Sequence, residues 1–596
     1  MGDTTVNGEN RNMPSPATVE VVRHAFISGA EQMRRNLYRS AHSPVIYEMK
    51  DCSVGLFNQN AELLGQAPGL PIFLGSLEAA INATTEHFGG PEIYKPGDVY
   101  AVNDSYLVGS HLNDVSVFSP IFHRGDLVGF GATKAHWMDI GAKDPSQTND
   151  ATSIYEEGYR LGPTHLYREG RPETGVLQFI TRNSRLPRSI WGDLHAQIAA
   201  CRTGERQLGE LMDRFGRSVV EEAAAVVFAQ CGRLDREVVG AVADGTFVTE
   251  GTMDSWGPGG GPVYVRATVT VEGEEMILDL DGSSPQTPGC MNCGFAQTIA
   301  AARLAYKLLI NPEVPVTAGT FRNLQVRAPE ASIFDAREPA ACQYYYPHLG
   351  MMIDLFISAL APSMPEAVVA AQPADPMNVL FVGKDPTTGE PFVTGEATAV
   401  GWGAWSGGDG TNAMINYGGG DLKNIPVEVL ESRYPIRVHR YALSPDSGGR
   451  GRWRGGCGVE REYEVLTDGV TLSTWFERTD TPAWGLFGGE PGSTTEAVIT
   501  VDGKSDSVMK VNRYPAPKGS RLRVATGGGG GYGDPAERSE EDLRRDLVEG
   551  YTTVVPPGMD IDLGNGAGNG LSAPASASTE VGRGDGVADG TVGNGS

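Results

Sequence analysis

Several features that mark other protein classes are missing from this chain of 596 residues. There is no run of about 18 apolar residues, which argues against a membrane span, and the polar N-terminus lacks a signal-peptide pattern. Lys and Arg number 48 against 74 Asp and Glu, which gives a net charge of -26. Nucleic acid and anionic membrane surfaces are therefore disfavoured as partners, and we expect a cytoplasmic protein.

Cysteine is scarce and irregularly spaced. The chain has seven cysteines, an odd number that does not suggest a disulfide framework at this length. Reduced thiols in the cytoplasm fit best. Cys290 and Cys293 have the C-x-x-C spacing of a zinc knuckle or a redox motif, but no second pair and no nearby histidine complete such a site.

Motifs for nucleotide binding and nucleophilic catalysis are also absent. No G-x-x-x-x-G-K-[ST] occurs, and the glycines at 527–531 lack the lysine and hydroxyl residues of a phosphate loop. A structural turn is favoured there over an anion site. No G-x-S-x-G is present. The segment with Arg452, Trp453 and Arg454 is interpreted as a tight structural loop rather than a nucleic-acid-binding segment, because the chain is so acidic.

The remaining patterns predict an α+β fold with several packed sections. Apolar residues recur at helical spacing in some stretches and alternate in others, and the chain is too long for one ordinary core. We divide it into a flexible N-terminus (1–15), an α+β section with the candidate site (16–245), a middle α+β section (246–375), a glycine-rich β section (376–536), a C-terminal helix and strand (537–563) and a disordered tail (564–596).

Five local features of this division can be tested individually. Helical spacing predicts an amphipathic helix over 16–40 and helical structure from about 190 to 243. Polar clusters predict turns between strands at 58–60 and 123–126. A last helix is expected after the glycine run, with Pro535 in its first turn.

Four residues have the chemistry of a divalent metal site: Asp51, His111, Asp114 and His136. Two imidazoles and two carboxylates suit Zn, Mn or Fe(II). Residues three apart, such as His111 and Asp114, converge only in a turn or a short helix, since a straight strand would place them on opposite faces. The site therefore requires a turn over 109–114.

The spacing alone leaves a structural alternative open. Isolated histidines and aspartates are more often hydrogen-bonded turn residues than metal ligands. Two features favour a site: Asp139 follows His136 by three residues as a possible partner or general base, and Asp51 stands at the start of a predicted strand.

Several blocks of sequence, in this order, resemble the hydantoinase B / oxoprolinase family. The resemblance runs from about residue 16 to 536, which is most of the chain. The blocks that carry it are YEMKDCSVGLFNQNAELLGQAPGLPIFLGSL, GDVYAVNDSYLVGSHLNDVSVFSPIF, AHWMDIG, IYEEGYRL, GDLHAQIAACRTGERQL, IPVEVLESRYPIRVHRYAL, DSGGRGRWRGG and GGGGGYGDP.

The resemblance implies a subunit that works with an ATPase. A partner resembling hydantoinase A, with an actin-like fold, binds ATP and phosphorylates the substrate oxygen, so a hetero-oligomer is expected. In several members the B-type chain holds a metal through an aspartate, an H-x-x-D pair and a downstream histidine. Those positions correspond here to Asp51, His111, Asp114 and His136.

This chain departs from the usual family pattern at two positions. Trp137 stands where many relatives have a second histidine, and Ala142 replaces the second residue of a double glycine. The four implied ligands are intact, whereas the shape of the pocket, and with it the substrate, is left open by these changes.

The leading hypothesis is hydrolysis of a cyclic amide, because O-phosphorylation makes the amide carbon electrophilic and a metal activates water. Asp139, or a glutamate of the 154–157 stretch such as Glu157, is the candidate general base. Two alternatives remain: a ketone carboxylase subunit that acts on a phosphoenol, and a non-catalytic scaffold for the ATPase.

Overall fold

The computed structural model describes residues 14–73, 75–420 and 422–555. It confirms a mixed α+β architecture with several sheets. The predicted disordered tail (564–596), and all but two residues of the predicted flexible N-terminus, lie outside these ranges. Among the described residues, no helix is long and apolar enough to cross a membrane.

The first section is built on a seven-stranded sheet with the strand order β2-β1-β5-β4-β3-β6-β7. Its elements are α1 (Pro16–Ser40), α2 (Pro44–Tyr47), β1 (Cys52–Asn58), β2 (Leu63–Gln66), α3 (Ser76–His87), β3 (Val99–Val102), α4 (Ser105–Val108), β4 (Asp114–His123), β5 (Asp126–His136), β6 (Thr164–Arg168), β7 (Arg171–Pro172), α5 (Thr174–Arg182), α6 (Pro187–Phe215) and α7 (Arg217–Val239). The predicted turns at 58–60 and 123–126 are confirmed.

Helix α1 has the predicted bounds because its sequence encodes both its start and its buried face. Ser15 caps the helix by accepting a hydrogen bond from the Thr18 amide at 3.2 Å. Val22, Phe26 and Met33, at helical spacing, are fully or almost fully buried against α6 and the sheet.

The helical stretch predicted from 190 to 243 consists of two helices rather than one. Gly216 separates α6 from α7 with a φ of 84°, a backbone conformation that favours glycine. Both helices pack on α1, and α6 lies over β4 and β5. Together they cover one face of the seven-stranded sheet.

The middle section has a four-stranded sheet with the order β11-β10-β9-β8. Its elements are β8 (Gly245–Met253), β9 (Val263–Glu272), β10 (Glu275–Asp279), α8 (Phe295–Leu309), β11 (Leu324–Arg327) and α9 (Pro347–Ala359). Alternate residues of β9 are buried, and α9 packs against β8 and β9. The alternation that predicted strands here is therefore the buried face of this sheet.

The third section contains a four-stranded sheet, β13-β12-β16-β19, and a five-stranded sheet, β14-β15-β20-β17-β18. Its elements are β12 (Asn378–Lys384), β13 (Pro391–Ala397), α10 (Val427–Arg433), β14 (Ile436–Leu443), β15 (Val459–Val465), β16 (Val470–Trp475), β17 (Glu496–Val501), β18 (Lys504–Ser507), β19 (Lys510–Ala516) and β20 (Arg521–Ala525). The C-terminal section (537–563) contributes α11 (Glu540–Val548), and its described residues, 537–555, contain no strand. Helix α11 begins later than predicted: Ser539 caps it, and Pro535 lies in a separate turn of 3-10 helix.

Glycine-rich segments of this third section form a bundle of backbones without regular secondary structure, which we call the glycine bundle (401–410, 448–456, 485–492 and 527–531). The amides of Gly529, Gly530 and Gly531 donate at 2.9 to 3.0 Å to carbonyls of Gly456, Ala371 and Glu490. A Cβ on Gly529 would lie 2.0 Å from the Trp402 carbonyl oxygen. These amides are committed within the protein, in line with the predicted structural role.

Buried ion pairs hold α11 against the glycine bundle. Arg454 lies 3.4 Å from Asp546, which also pairs with Arg538 at 2.8 Å. All three side chains are almost fully buried. The arginine-rich segment is therefore a structural loop, as predicted, with Arg452 resting on the Trp453 ring at 4.6 Å.

Candidate metal centre

Three predicted site residues lie side by side at one end of the seven-stranded sheet. Asp51 immediately precedes β1, His136 ends β5 and Asp114 begins β4. Antiparallel pairing sets His136 opposite Asp114, and the His136 amide donates to the Asp51 carbonyl at 3.2 Å. Because neighbouring strands are in register, residues far apart in sequence meet in one row.

The fourth predicted residue, His111, enters this row from the turn that the H-x-x-D spacing required. The Asp114 amide donates to the His111 carbonyl at 3.1 Å, which closes the turn. Gly109 begins it with a φ of 91°, and a Cβ there would lie 2.2 Å from the Gln297 amide nitrogen. Glycine is thus needed at 109 for both its conformation and its close contact with α8.

His111, Asp114 and His136 converge on one point. The Nε2 atom of His111 lies 2.9 Å from Asp114 Oδ1 and 3.1 Å from His136 Nδ1, and His136 Nδ1 lies 3.3 Å from Asp114 Oδ1. All three residues are buried, and their ligand atoms lie within 4.8 Å of one another. Two imidazole nitrogens and one carboxylate oxygen form a donor set that suits Zn, Mn or Fe(II).

The surroundings of the triad support a cation at this point. The Nδ1 atom of His111 lies 3.0 Å from both the backbone carbonyl oxygen and the side-chain nitrogen of Gln343, so this residue fixes the orientation of the imidazole ring whose Nε2 faces the triad. Asp114 Oδ2 is buried without a hydrogen-bond partner. Converging lone pairs and an unpartnered buried carboxylate oxygen need a proton or a metal ion between them, so these residues fit a divalent metal.

The two carboxyls of the row differ in their electrostatics. Burial raises the pKa of Asp51 to about 7, with Asp114 adding to the shift and His136 opposing it. Burial also disfavours ionisation of Asp114, but His111 and His136 together hold the pKa of its carboxyl well below its usual range. Asp114 is thus the permanently charged member, and Asp51 takes up or releases a proton near neutral pH.

A cavity of about 100 Å³ opens onto this row, and Asp51, His111, Asp114 and His136 all line it. Asp51 is close enough to interact electrostatically with His136 and Asp114, although it is not one of the three residues that converge most closely. The rest of the wall comes from all three sections and is mainly apolar: Val45, Met49, Leu70, Ile72, Met138, Tyr345, Ile353, Val379, Leu380 and Leu422.

Neither candidate general base lines the cavity. The buried carboxylate of Asp139 pairs with Arg185 at 2.7 Å and accepts a hydrogen bond from the Gly141 amide. Glu157 accepts from the amides of Cys342 and Gln343 at 3.0 and 2.7 Å, while burial raises its pKa to about 8. A base role for either residue stays a prediction.

The two departures from the family pattern lie away from the cavity. Trp137 is fully buried on the side of the sheet that faces α6, where its indole donates to Gln197 at 2.8 Å. Ala142 is also buried, and its carbonyl accepts from Arg185 at 2.7 Å. Neither residue is among those that line the cavity.

Among the residues that the structure describes, Cys290 and Cys293 belong to no group of three or more candidate metal ligands. All seven cysteines are free and buried, and burial raises the thiol pKa of both residues. Cys293 lies 3.4 Å from His348, whose own pKa burial lowers to about 3. An inert thiol beside a neutral imidazole is a packing arrangement rather than a nucleophile and its base.

Two residues that support the site were not predicted from the sequence. Gln343 orients His111 through its carbonyl, and the Tyr345 ring packs edge-on against the His111 ring with centroids 5.0 Å apart. Both belong to the 340–346 segment, more than 200 residues further along the chain. The only signal available to sequence reasoning was the unusual Tyr-Tyr-Tyr run at 344–346.

Residues 15–535 match the family model described as Hydantoinase B/oxoprolinase. The chain belongs to the hydantoinase B/oxoprolinase family. It is 32% identical over 565 residues to the caprolactamase subunit beta of Pseudomonas jessenii, a match that covers 91% of this chain and 95% of that protein. It is 29% identical over 554 residues to 5-oxoprolinase 1 of Arabidopsis thaliana, covering 88% of this chain and 42% of that longer protein.

Two solved structures share the architecture of this chain. The crystal structure of the ATP-dependent caprolactamase from Pseudomonas jessenii superposes with a TM-score of 0.84 at 28% identity, over 92% of this chain and 98% of that one. A nucleotide-free acetone carboxylase structure superposes with a TM-score of 0.81 at 20% identity, and the match covers 90% of this chain and 78% of that one. At that identity the second match shows the fold alone.

Proposed function

We propose that this protein is the metal-dependent B-type subunit of an ATP-dependent amidohydrolase that opens a cyclic amide. The observation that carries the proposal is the buried convergence of His111, Asp114 and His136 at the end of an apolar cavity. The caprolactamase and 5-oxoprolinase names of its relatives support a ring-opening reaction.

The residues of the row would bind a Zn, Mn or Fe ion and orient the substrate beside it. His111 Nε2, Asp114 Oδ1 and His136 Nδ1 would be ligands, and Asp51 would complete the set from the same row. A divalent ion held there would supply Lewis-acid chemistry and lower the pKa of water. Asp139 and Glu157 are the proposed sources of general-base help.

ATP is assigned to a partner subunit that resembles hydantoinase A and phosphorylates the amide oxygen. The related caprolactamase chain is named subunit beta, which supports a second chain. The match to 5-oxoprolinase 1 covers only 42% of that protein, which leaves room there for a further activity in the same polypeptide. A hetero-oligomer follows, and the seven free cysteines support placing it in the cytoplasm.

Elemental analysis of the purified chain tests the metal site before any substrate is chosen. We expect a divalent transition metal in the unaltered protein and its loss from His111→Ala. His123→Ala is the matched control, because His123 also contacts an aspartate, Asp213 at 2.8 Å, but outside the cavity. Equal metal content in all three proteins would contradict the proposal.

Reconstitution with the ATPase partner tests the reaction itself. Ring opening that depends on ATP and is lost in His111→Ala is the expected result. Incorporation of labelled bicarbonate into an acid, dependent on ATP and a ketone, would instead identify a carboxylase. Full turnover by a metal-free His111 variant would identify this chain as a scaffold.

A further inference from the structure

Two exposed aromatic side chains lie close together on the outer surface of the first section. Tyr155 is 70% exposed, and Phe179, on the outer side of α5, is 49% exposed. The Phe179 ring centroid lies 5.6 Å from that of Tyr159, and the guanidinium of the next residue, Arg160, lies 5.9 Å from the Tyr155 ring. Tyr155 and Phe179 therefore belong to one continuous surface.

The chain around this aromatic pair is basic, although the whole protein is strongly acidic. Residues 160–190 contain six arginines, two glutamates and neither lysine nor aspartate, a net charge of +4 within a chain of net charge -26. Three of the arginines pair with acidic side chains: Arg160, Arg168 and Arg185. The other three are exposed and form no ion pair within the part of the chain that the structure describes: Arg171, Arg182 and Arg188.

Two of the unpaired arginines flank Phe179. Arg182 follows Phe179 by three residues on α5, a spacing that places both side chains on the same side of the helix. Arg188 lies in the first turn of α6, directly after α5. We call Tyr155, Phe179, Arg182 and Arg188 the α5 surface. Aromatic and arginine side chains contribute most of the binding energy at protein interfaces, so this composition fits a protein partner.

The charge of the α5 surface selects among possible partners. A two-fold dimer of this chain would place the surface against itself and bring like charges together, which is unfavourable. Nucleic acid has the complementary sign, but the net charge of -26 repels a polyanion. An acidic face on a different protein is complementary to the arginines without that repulsion.

The α5 surface is connected to the interior by two paired segments, 153–160 and 337–343. At their outer end, the Tyr155 hydroxyl donates to the Glu338 carboxylate. Arg160 pairs with the same carboxylate at 3.2 Å. A protein that covers Tyr155 would therefore also cover the outer end of both segments.

The inner end of these two segments holds the candidate metal centre. Glu157, two residues after Tyr155, is fully buried and accepts from the Gln343 amide at 2.7 Å. Gln343 in turn lies 3.0 Å from Nδ1 of His111. A partner docked on the α5 surface would thus rest on the same segments that orient His111.

We infer that the α5 surface is the docking site for an acidic, partly apolar face of the ATPase subunit. The inference rests on the proposed function, which supplies that subunit, and it specifies where and by what chemistry the two chains meet. Docking there places the ATPase over the segments that lead to His111, on the side of the chain from which the metal centre is held.

Hydrogen–deuterium exchange of the full chain, with and without the ATPase subunit, tests the location of this interface. We expect backbone amides in 153–160 and 174–188 to exchange at least threefold more slowly in the complex. The 485–492 segment of the glycine bundle should not change. Protection confined to other parts of the chain would overturn the inference.

Charge reversal tests the chemistry of the interface. Arg182→Glu combined with Arg188→Glu should weaken binding of the ATPase subunit by about tenfold or more, with metal content and secondary structure retained. Arg182→Gln with Arg188→Gln provides a second variant that removes the charges without placing an acid at the end of α5.

The matched control reverses two other exposed arginines, in Arg202→Glu with Arg206→Glu. Both lie on α6 and form no ion pair among the residues that the structure describes. Arg202 is roughly 20 Å from Arg188 along the helix, at about 1.5 Å per residue. This control should bind the ATPase subunit within twofold of the unaltered chain.

A single aromatic substitution tests the apolar part of the interface. Phe179→Ala should weaken binding of the ATPase subunit at least fivefold, because exposed aromatic side chains act as anchors at interfaces. Phe487→Ala is the control, since Phe487 is 48% exposed but lies in the glycine bundle. Equal loss of binding in both variants would overturn the assignment to the α5 surface.

The remaining outcomes separate this inference from the proposed function. Unaltered binding by the Arg182 and Arg188 variants overturns the docking site while the metal analysis stands. Self-association of the chain, or binding of a short fluorescent DNA strand, that is lost in these variants would assign the α5 surface to another occupant and overturn the inference. Absence of a metal together with ATPase binding that depends on the α5 surface would overturn the proposed hydrolase chemistry alone.

Discussion

Two regions of the molecule place atoms precisely in opposite ways: the glycine bundle and the row of candidate metal ligands Asp51, His111, Asp114 and His136, which we call the metal row. In the metal row, strand register brings the side chains of Asp51, His136 and Asp114 together, while the backbone is ordinary β-sheet. In the glycine bundle the missing side chains allow backbones to touch, as Gly529 does with the Trp402 carbonyl. Substitutions in the metal row should therefore change metal binding and turnover, whereas substitutions in the glycine bundle should lower the stability of the fold.

The largest effect is expected from Gly529→Ala. The added Cβ would lie 2.0 Å from a backbone oxygen, which cannot move as a flexible side chain would. We expect a loss of about 3 kcal/mol or more in the free energy of unfolding, as for severe overpacking, measured by chemical denaturation. The variant should be poorly folded even though it is distant from the metal row in sequence and in role.

Gly209→Ala is the matched control for that substitution. Gly209 lies within α6, and no atom would approach its Cβ within 4 Å. Alanine is the better helix former by roughly 1 kcal/mol, so this change should stabilise the protein slightly. If the two alanine variants unfold alike, close backbone contact is not what holds the glycine bundle together.

Asp114→Asn should affect binding of the metal rather than the fold. The amide has nearly the same shape as the carboxylate but no negative charge, so we expect at least a hundredfold weaker metal binding with retained secondary structure. Asp213→Asn is the control, since Asp213 contacts His123 in a pair outside the cavity. Titration of both variants with Zn or Mn gives the comparison, and unaltered affinity in Asp114→Asn would remove this residue from the ligand set.

Glu157 provides a finer test, because a role in positioning the backbone predicts a loss of metal affinity, whereas a role as general base predicts a loss of turnover. If it positions the 342–343 backbone, and through the Gln343 carbonyl also His111, then Glu157→Ala should weaken metal binding by roughly 10- to 100-fold. Glu157→Gln keeps one acceptor oxygen and should therefore lose less metal affinity than Glu157→Ala. If Glu157 is instead the general base, both variants should keep the metal and lose turnover in the reconstituted complex.

Protonation of Asp51 should make metal affinity depend on pH. Its pKa is raised from 3.8 to about 7 in the metal-free protein, so below pH 7 the ion must displace a proton. Competition from this proton should therefore weaken metal affinity by up to about tenfold for each pH unit below 7, and the affinity should level off above pH 7. Comparing the pH profile with that of Asp51→Asn isolates this contribution, and identical slopes would exclude Asp51 as a ligand.

Sequence reasoning was most successful where a local pattern encodes a local structure. The bounds of α1 followed from apolar spacing, and the turn at 109–114 followed from the H-x-x-D spacing. It was less accurate at Gly216, where the continuing apolar register concealed the break between α6 and α7. A single glycine can end a helix without changing that register.

The remaining features depend on contacts that have no local signature. Gln343 reaches His111 across 232 residues of sequence, and nothing around either residue encodes that distance. The glycine-rich segments were interpreted as loops because glycine permits positive φ angles and close approach of backbones, but the sequence does not say which backbones approach each other. Their order comes instead from hydrogen bonds between backbones, such as the Gly530 amide to the Ala371 carbonyl.

The glycine bundle also affects how a mutational survey of this protein would be interpreted. Positions 528–531 should tolerate no other amino acid, since a Cβ at each would lie within 2.2 Å of a carbonyl oxygen. Scored by turnover of the reconstituted complex, these positions would be as intolerant as His111. Protein abundance would separate the two groups, because variants of the glycine run should disappear from the soluble fraction while variants of His111 accumulate as inactive protein.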